Sequence, residues 1–238
     1  MYFSHTQYLP VALPFFALFA FALALLLLLL QIRVLRYAYM RLGVSSGGAM
    51  ALLLATLLGS AINIPIARLD ASTPLARGGE VLFHGMLYVV PEHFGRQDVT
   101  LAVNVGGALI PAALSLYLLS RRGIWGVGLI ATAIMALICH ALAQPVHGIG
   151  IALPTFAPPI AAALVAALVC WRELPALAYV CGSLGVLIGA DLMNLDKLSG
   201  LGAPVASIGG AGTFDGIFVT GIFAVLLAGF AHGGETAR

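Results

Sequence analysis

Two aspartates stand inside long apolar runs: Asp191 in Gly189-Ala190-Asp191-Leu192, and Asp215 in Thr213-Phe214-Asp215-Gly216. A charged side chain inside a bilayer costs several kcal/mol on insertion scales, so each needs a reason to be there. Neither has a Lys or Arg within its own run to pair with. Two carboxylates within about 3–5 Å of each other can share one proton and divide the work of acid and base, because like charges that close cannot both ionise. The same pair could hold a transported proton or cation.

The elements that must position them are membrane helices. Hydrophobic residues make up 61% of the 238 and charged residues 8%, against roughly 25% charged in a soluble domain. Several apolar runs are ~17–22 residues long, enough to cross a hydrocarbon layer of about 30 Å. The expected fold is an all-α integral membrane protein, one domain over residues 1–238, with a bundle of about seven transmembrane helices. They are expected at Leu9–Gln31, Gly47–Ile66, Thr100–Leu119, Ile124–Leu142, Pro154–Cys170, Pro175–Asn194 and Ser207–Phe230. The first reads as a retained helix rather than a cleaved signal: no Lys or Arg precedes Pro10 and no small-x-small site follows.

Loops after helices one, three and five hold Arg33, Arg36, Arg41, Arg121, Arg122 and Arg172, and Arg238 closes the tail. The other loops hold Arg68, Arg77, Arg96 and Lys197. The positive-inside rule therefore places the chain in the cell (inner or plasma) membrane with the N-terminus outside and the C-terminus in the cytoplasm. The longest outer loop, 67–98, contains Glu80–Val90, rich in strand formers, which reads as a short extended or hairpin element.

On this topology Asp191, near the end of helix six, and Asp215, near the start of helix seven, fall at comparable depth in the outer half. Asn63, Asn104, His140 and Thr213 come to the same level, with Gln144, His147, Asn194 and Asp196 near it. Asn194 and Asp196 read as residues reaching headgroups or water. The cytoplasmic halves offer almost nothing comparable. Glycines gather there too: Gly106 and Gly107 in helix three, then Gly209, Gly210, Gly212 and Gly216 at the entry to helix seven. Membranes tolerate the irregular backbone that Gly and Pro permit only when it is buried in protein or lines a wet cavity. An outward-open polar cavity is the expectation.

No metal, cofactor or nucleic acid is called for. Cys139, Cys170 and Cys181 are scattered in apolar runs and read as inert small hydrophobes. There is no Walker loop, no Gly-x-Gly-x-x-Gly, no His-Glu-x-x-His and no CxxC pair. A net charge of +2 with no basic cluster excludes a nucleic-acid partner. The expected partners are the bilayer and either a membrane-protein or a small-solute substrate.

The segments Gly185–Leu195 and Ala206–Phe218, with Asn63-Ile64-Pro65 and Asn104–Pro111, resemble a family of prokaryotic multi-pass membrane proteins known as domain of unknown function 1614, over most of the chain from about Gly43. That resemblance implies no activity. The two aspartates on consecutive helices, the second after a glycine-rich entry, are also similar to intramembrane aspartyl proteases of the presenilin and prepilin-peptidase kind. The similarity implies catalytic roles for Asp191 and Asp215, one carboxylate activating water while the other stays protonated. The motifs differ in detail: Gly212-Thr213-Phe214-Asp215 stands where those enzymes have Gly-x-Gly-Asp, and Ala190 replaces a Tyr. Pro175-Ala176-Leu177 spells their third motif in the wrong order along the chain. Three functions follow for testing: aspartyl-protease-like hydrolysis, proton- or cation-coupled transport, and a non-catalytic scaffold.

Overall fold

The computed structural model describes residues 13–69, 79–83, 86–90, 99–146, 150–200, 205–210 and 216–233. Gly212, Thr213, Asp215 and His147 lie outside them. Among the described residues, seven α-helices carry the fold: α1 Leu13–Arg41, α2 Ser46–Gly59, α3 Ile110–Arg122, α4 Trp125–Leu142, α5 Ala157–Val169, α6 Leu174–Val186 and α7 Gly216–Gly233. Seven strands accompany them: β1 Asn63–Leu69, β2 Gly79–Phe83, β3 Met86–Val90, β4 Val99–Asn104, β5 Gln144–Val146, β6 Gly150–Ala152 and β7 Val205–Ile208.

Helix α6 is the axis of the bundle. Every residue from Ala176 to Ser183 is buried, and the helix packs against α3, α4, α5 and α7. Its residues are mostly small, which lets neighbouring backbones come close where lipid gives no hydrophobic drive to association. On one side Leu177, Ala178 and Cys181 meet Met135, Cys139, Ala162 and Ala224. On the other, Tyr179 and Val180 share a core with Tyr39, Leu118, Ile222 and Val225.

One face gathers the loops that follow α1, α3 and α5. Arg122 bridges all three: Nη1 pairs with Glu173 at 2.6 Å, and Nη2 donates to the Leu42 carbonyl at 2.9 Å. Helix α1 runs ten residues past its expected end at Gln31, so Arg33, Arg36 and Arg41 stand in its last turns rather than in a loop, and Arg121 and Arg122 close α3.

The opposite face departs from an all-helical bundle. By length and apolarity two stretches qualify as spans, Trp125–Leu142 and Trp171–Leu198. A third counts if Gln31–Arg41 and Ser46–Gly59, bent through 116°, form one broken span. Among the described residues, length and composition thus support two or three candidate spans rather than a count of seven. The expected second helix stops at Gly59, because Asn63–Leu69 pairs antiparallel with Val99–Asn104, so residues 100–104 of the expected third helix are strand instead. The parallel β4–β7 pair takes Ser207 and Ile208 from the expected helix seven, which begins instead at Gly216 among the described residues. Pro65 fits β1 because β1 is an edge strand, where a missing N–H costs nothing, and the register shifts just after it. The strand-like stretch of the outer loop is a hairpin, Gly79–Phe83 paired with Met86–Val90.

Two helices are also interrupted by wider π-helical turns, Val105–Leu109 ahead of α3 and Leu187–Asp191 after α6. A 3-10 helix, Leu192–Gly200, continues the second and kinks at Asn194. Both turns sit where a helix needs extreme proximity to a neighbour. A Cβ on Gly189 would lie 2.1 Å from the Ala136 carbonyl oxygen, and one on Gly106 would lie 2.2 Å from that of Thr56. Gly189→Ala should therefore lower stability by roughly 1–3 kcal/mol through forced separation of α4 from the turn. Gly126→Ala, with open space around its Cβ site, should be neutral or stabilising. Thermal unfolding of the two variants in detergent checks this; equal midpoints would contradict the packing.

Candidate functional site

The site is built where the two π-helical turns meet the three-stranded sheet. β7 ends at Ile208, and the chain turns through Gly209 and Gly210, with φ of 89° and 75°. That left-handed backbone is open to glycine and strained for other residues. Gly209 also sits against the first π-helical turn: a Cβ there would fall 2.6 Å from the Ala108 amide nitrogen. Its own N–H points the other way and donates to Asp191 Oδ2 at 2.7 Å. Asp191 closes the second π-helical turn and is half-buried. One glycine thus ties the two helix breaks together.

Beneath this junction Leu101, Ala108, Leu198 and Ile208 form a small core of their own. It joins β4, the first π-helical turn, the 3-10 helix and β7, so the position of Asp191 is held by packing as well as by the amide.

Asn104 is fully buried and makes three hydrogen bonds. Its Oδ1 accepts from the Gly107 amide at 2.7 Å, capping the first π-helical turn. Its Nδ2 donates to the Ser60 carbonyl at 2.8 Å and to Asn63 Oδ1 at 3.0 Å. The Ser207 hydroxyl donates to the same Asn63 oxygen at 2.6 Å. Asn63 and Asn104 thus bridge β1, β4 and β7 and satisfy backbone groups that a helix end leaves orphaned.

Asn194 corrects an expectation. Its place near a helix end predicts a side chain reaching headgroups or water, yet it is 1% exposed. Its Nδ2 donates to the carbonyls of Gly189 and Ala190, both at 2.9 Å, and its Oδ1 accepts from Lys197 Nζ at 2.7 Å. A widened turn leaves carbonyls unsatisfied, and the amide supplies them with a donor. Asp196, by contrast, is exposed as expected.

His140 lies on α4 beside the buried Cys139. The imidazole is half-buried, and its Nδ1 has no hydrogen-bond partner among the described residues. No group of three or more metal-ligating side chains comes together among the described residues. The three cysteines are free. Gly216, the first residue of α7, has open space about its Cβ position. Asp215, Thr213 and Gly212 fall outside the described residues, so the distance between the two aspartates is not among the observed geometry. Pro175-Ala176-Leu177 opens α6 at the end away from Asp191, too far to join it.

Sequence reasoning missed Ser207 and Lys197 as members of this network. It also missed a set of hydroxyls deeper in the bundle. Tyr39, Thr56, Ser115, Thr132, Tyr179, Ser183 and Thr220 are all buried. The Tyr39 and Tyr179 rings lie 6.4 Å apart, Thr56 neighbours the Tyr39 hydroxyl and Ser183 that of Tyr179. Yet neither Thr56 Oγ1 nor Ser183 Oγ reaches hydrogen-bond geometry. Tyr reads as an aromatic core residue in a hydrophobic pattern, and that concealed the row.

No curated protein and no solved structure matches this chain. The similarity to intramembrane aspartyl proteases therefore has no support beyond the motifs themselves. Residues 57–227 match the family described as protein of unknown function, DUF1614, a range that includes Asp191, Asp215 and the whole three-stranded sheet. The chain belongs to the DUF1614 family.

Proposed function

We propose that this membrane protein is a hydrolase that cleaves a peptide bond in an unwound segment of another membrane protein, with Asp191 and Asp215 as its paired acids. The observation that carries this reading is the Gly209 amide on Asp191. It joins a carboxylate to the end of β7, an edge strand with one partner, β4, among the described residues. A substrate segment released from its helix has unpaired backbone groups, and an edge strand offers them partners by strand addition. Pairing on β7 would run the substrate backbone past Asp191.

The packing of α6 on α7 favours a partner for Asp191 from the start of α7. Gly182 packs against Thr220 and Gly221, and Gly221 against Ser183. The helices are antiparallel, so each step up one is a step down the other. Counted back from that contact, Gly216 would fall level with Leu187, and the residue before it, Asp215, about one helical turn short of Asp191. In the reaction the ionised carboxylate takes a proton from water, whose oxygen adds to the peptide carbonyl carbon. The protonated carboxyl gives its proton to the carbonyl oxygen. Collapse then breaks the C–N bond, and the departing nitrogen takes up a proton.

A second reading, proton- or cation-coupled transport, is favoured by the row of buried hydroxyls. It would continue from the junction towards the face that carries Arg122, with Tyr39, Thr56, Tyr179 and Ser183 as stepping points. Helix breaks beside an intramembrane carboxylate are also where transporters hold ions.

The two readings separate in proteoliposomes. For the hydrolase, Asp191→Asn and Asp215→Asn should each lower cleavage of a co-reconstituted single-span membrane protein by about 10²–10⁴-fold. Retained cleavage in either variant rules out the pair. Tyr179→Phe should leave that cleavage unchanged. For the transporter, the same Tyr179→Phe should slow pH-driven solute uptake by roughly tenfold, because it removes one hydroxyl from the row a proton would follow, with no proteolysis in any variant.

A further inference from the structure

A cavity of about 220 Å³ lies between α1, α2 and the first π-helical turn. Leucines make up much of its wall, Phe218 closes part of it, and no charged residue lines it. Its polar lining consists of Gln31, Thr56, Ser60 and the backbone at Gly106 and Gly107. The Ser60 hydroxyl already donates to the Leu57 carbonyl at 2.7 Å. Thr56 differs. It is 6% exposed, and its Oγ1 has no partner in hydrogen-bond geometry among the described residues, the neighbouring Tyr39 hydroxyl included, although a helical threonine commonly bonds a carbonyl one turn back. Interior hydroxyls are rarely left so.

The cavity opens sideways. Leu28, Leu54 and Leu57 line it and are 51%, 51% and 46% exposed, and at a helical membrane bundle such leucines meet lipid. An occupant would therefore come from the bilayer. Its volume exceeds the ~150 Å³ that admits a benzene ring, and takes roughly seven methylene-sized groups if each fills about the ~30 Å³ of a water. The lining has no cation to receive a carboxylate or phosphate head, and burying such a charge unpaired is prohibitive.

We infer that this cavity binds one neutral single-chain amphiphile, with its hydroxyl or carbonyl oxygen hydrogen-bonded to Thr56 and its chain lying against α1 and α2. The inference is independent of Asp191 and of any hydrolytic or transport activity. The distal part of the chain leaves between Leu54 and Leu57 and rejoins the lipid.

The test uses the full chain in phosphatidylcholine nanodiscs with a diazirine-bearing dodecanol as photolabel. Saturable labelling should map to peptides of α1 and α2, and 1-dodecanol should compete at least tenfold better than dodecane. Thr56→Val, which keeps the shape and removes the hydroxyl, should weaken competition by dodecanol about five- to tenfold while leaving dodecane unaffected. Leu57→Trp, at the exposed mouth, should abolish saturable labelling and so serves even where Thr56→Val fails to fold. Labelling spread evenly over all lipid-facing helices, equal competition by dodecane, or saturable labelling retained in Leu57→Trp would overturn the proposal. A preference for lauric acid over dodecanol would overturn the neutral head.

Discussion

The parallel pairing of β4 with β7 is the contact on which the rest of the outer face depends. It brings residues 100–103 beside 205–208, two segments a hundred residues apart that lead into different helices. β4 runs directly into the first π-helical turn, and β7 runs into Gly209. Their register therefore decides that Gly209 packs on Ala108 and presents its amide to Asp191. Without that pairing the carboxylate would still terminate a widened turn, but nothing would link it to the entry of α7.

A bilayer explains why the protein goes to this trouble. Helices satisfy their own backbone groups, whereas any break inside the membrane exposes donors and acceptors that lipid cannot serve. Here α2 ends at Gly59 after about 20 Å of rise, short of the ~30 Å of hydrocarbon, whereas α6 reaches span length only through the π and 3-10 turns that carry it on to Leu198. The shortfall is made good by a sheet and by two buried amides. Asn104 serves the start of one widened turn and Asn194 the end of the other. Wide turns of this kind concentrate at functional sites because they store a local irregularity that a helix of good formers would remove. The freed groups at Ser60, Gly107, Gly189 and Ala190 have each found a side-chain partner, which offsets the irregularity.

The sequence was most legible where one physical force acted alone. Helix α4 begins one residue from its expected start and ends where expected, because its apolar run contains no proline and ends at a clear change of composition. The Glu80–Val90 hairpin was readable from its density of strand formers. The strands β1, β4 and β7 were not, because an apolar run beside a membrane helix has no periodicity to separate strand from helix. Asn63-Ile64-Pro65 and Asn104–Pro111 did mark irregular backbone, yet the pairing between them is a long-range fact that neither segment carries. Within the site, the composition singled out Asp191 because a lone acid in an apolar run must be explained. It placed Asn194 wrongly for the opposite reason: a polar residue near a helix end looks solvated until a neighbouring turn is found to need its amide.

The central claim is that a second carboxylate, Asp215, stands against Asp191. Disulfide trapping reads that distance directly, since two cysteines join readily only when their Cβ atoms approach about 3.5–4.5 Å. In a background with Cys139, Cys170 and Cys181 replaced by alanine, the pair Asp191→Cys and Asp215→Cys should cross-link under mild oxidant as fast as Gly182→Cys with Thr220→Cys, whose positions are already in contact. Prompt cross-linking of the 182–220 pair with none at 191–215 would place the two acids apart and contradict the account.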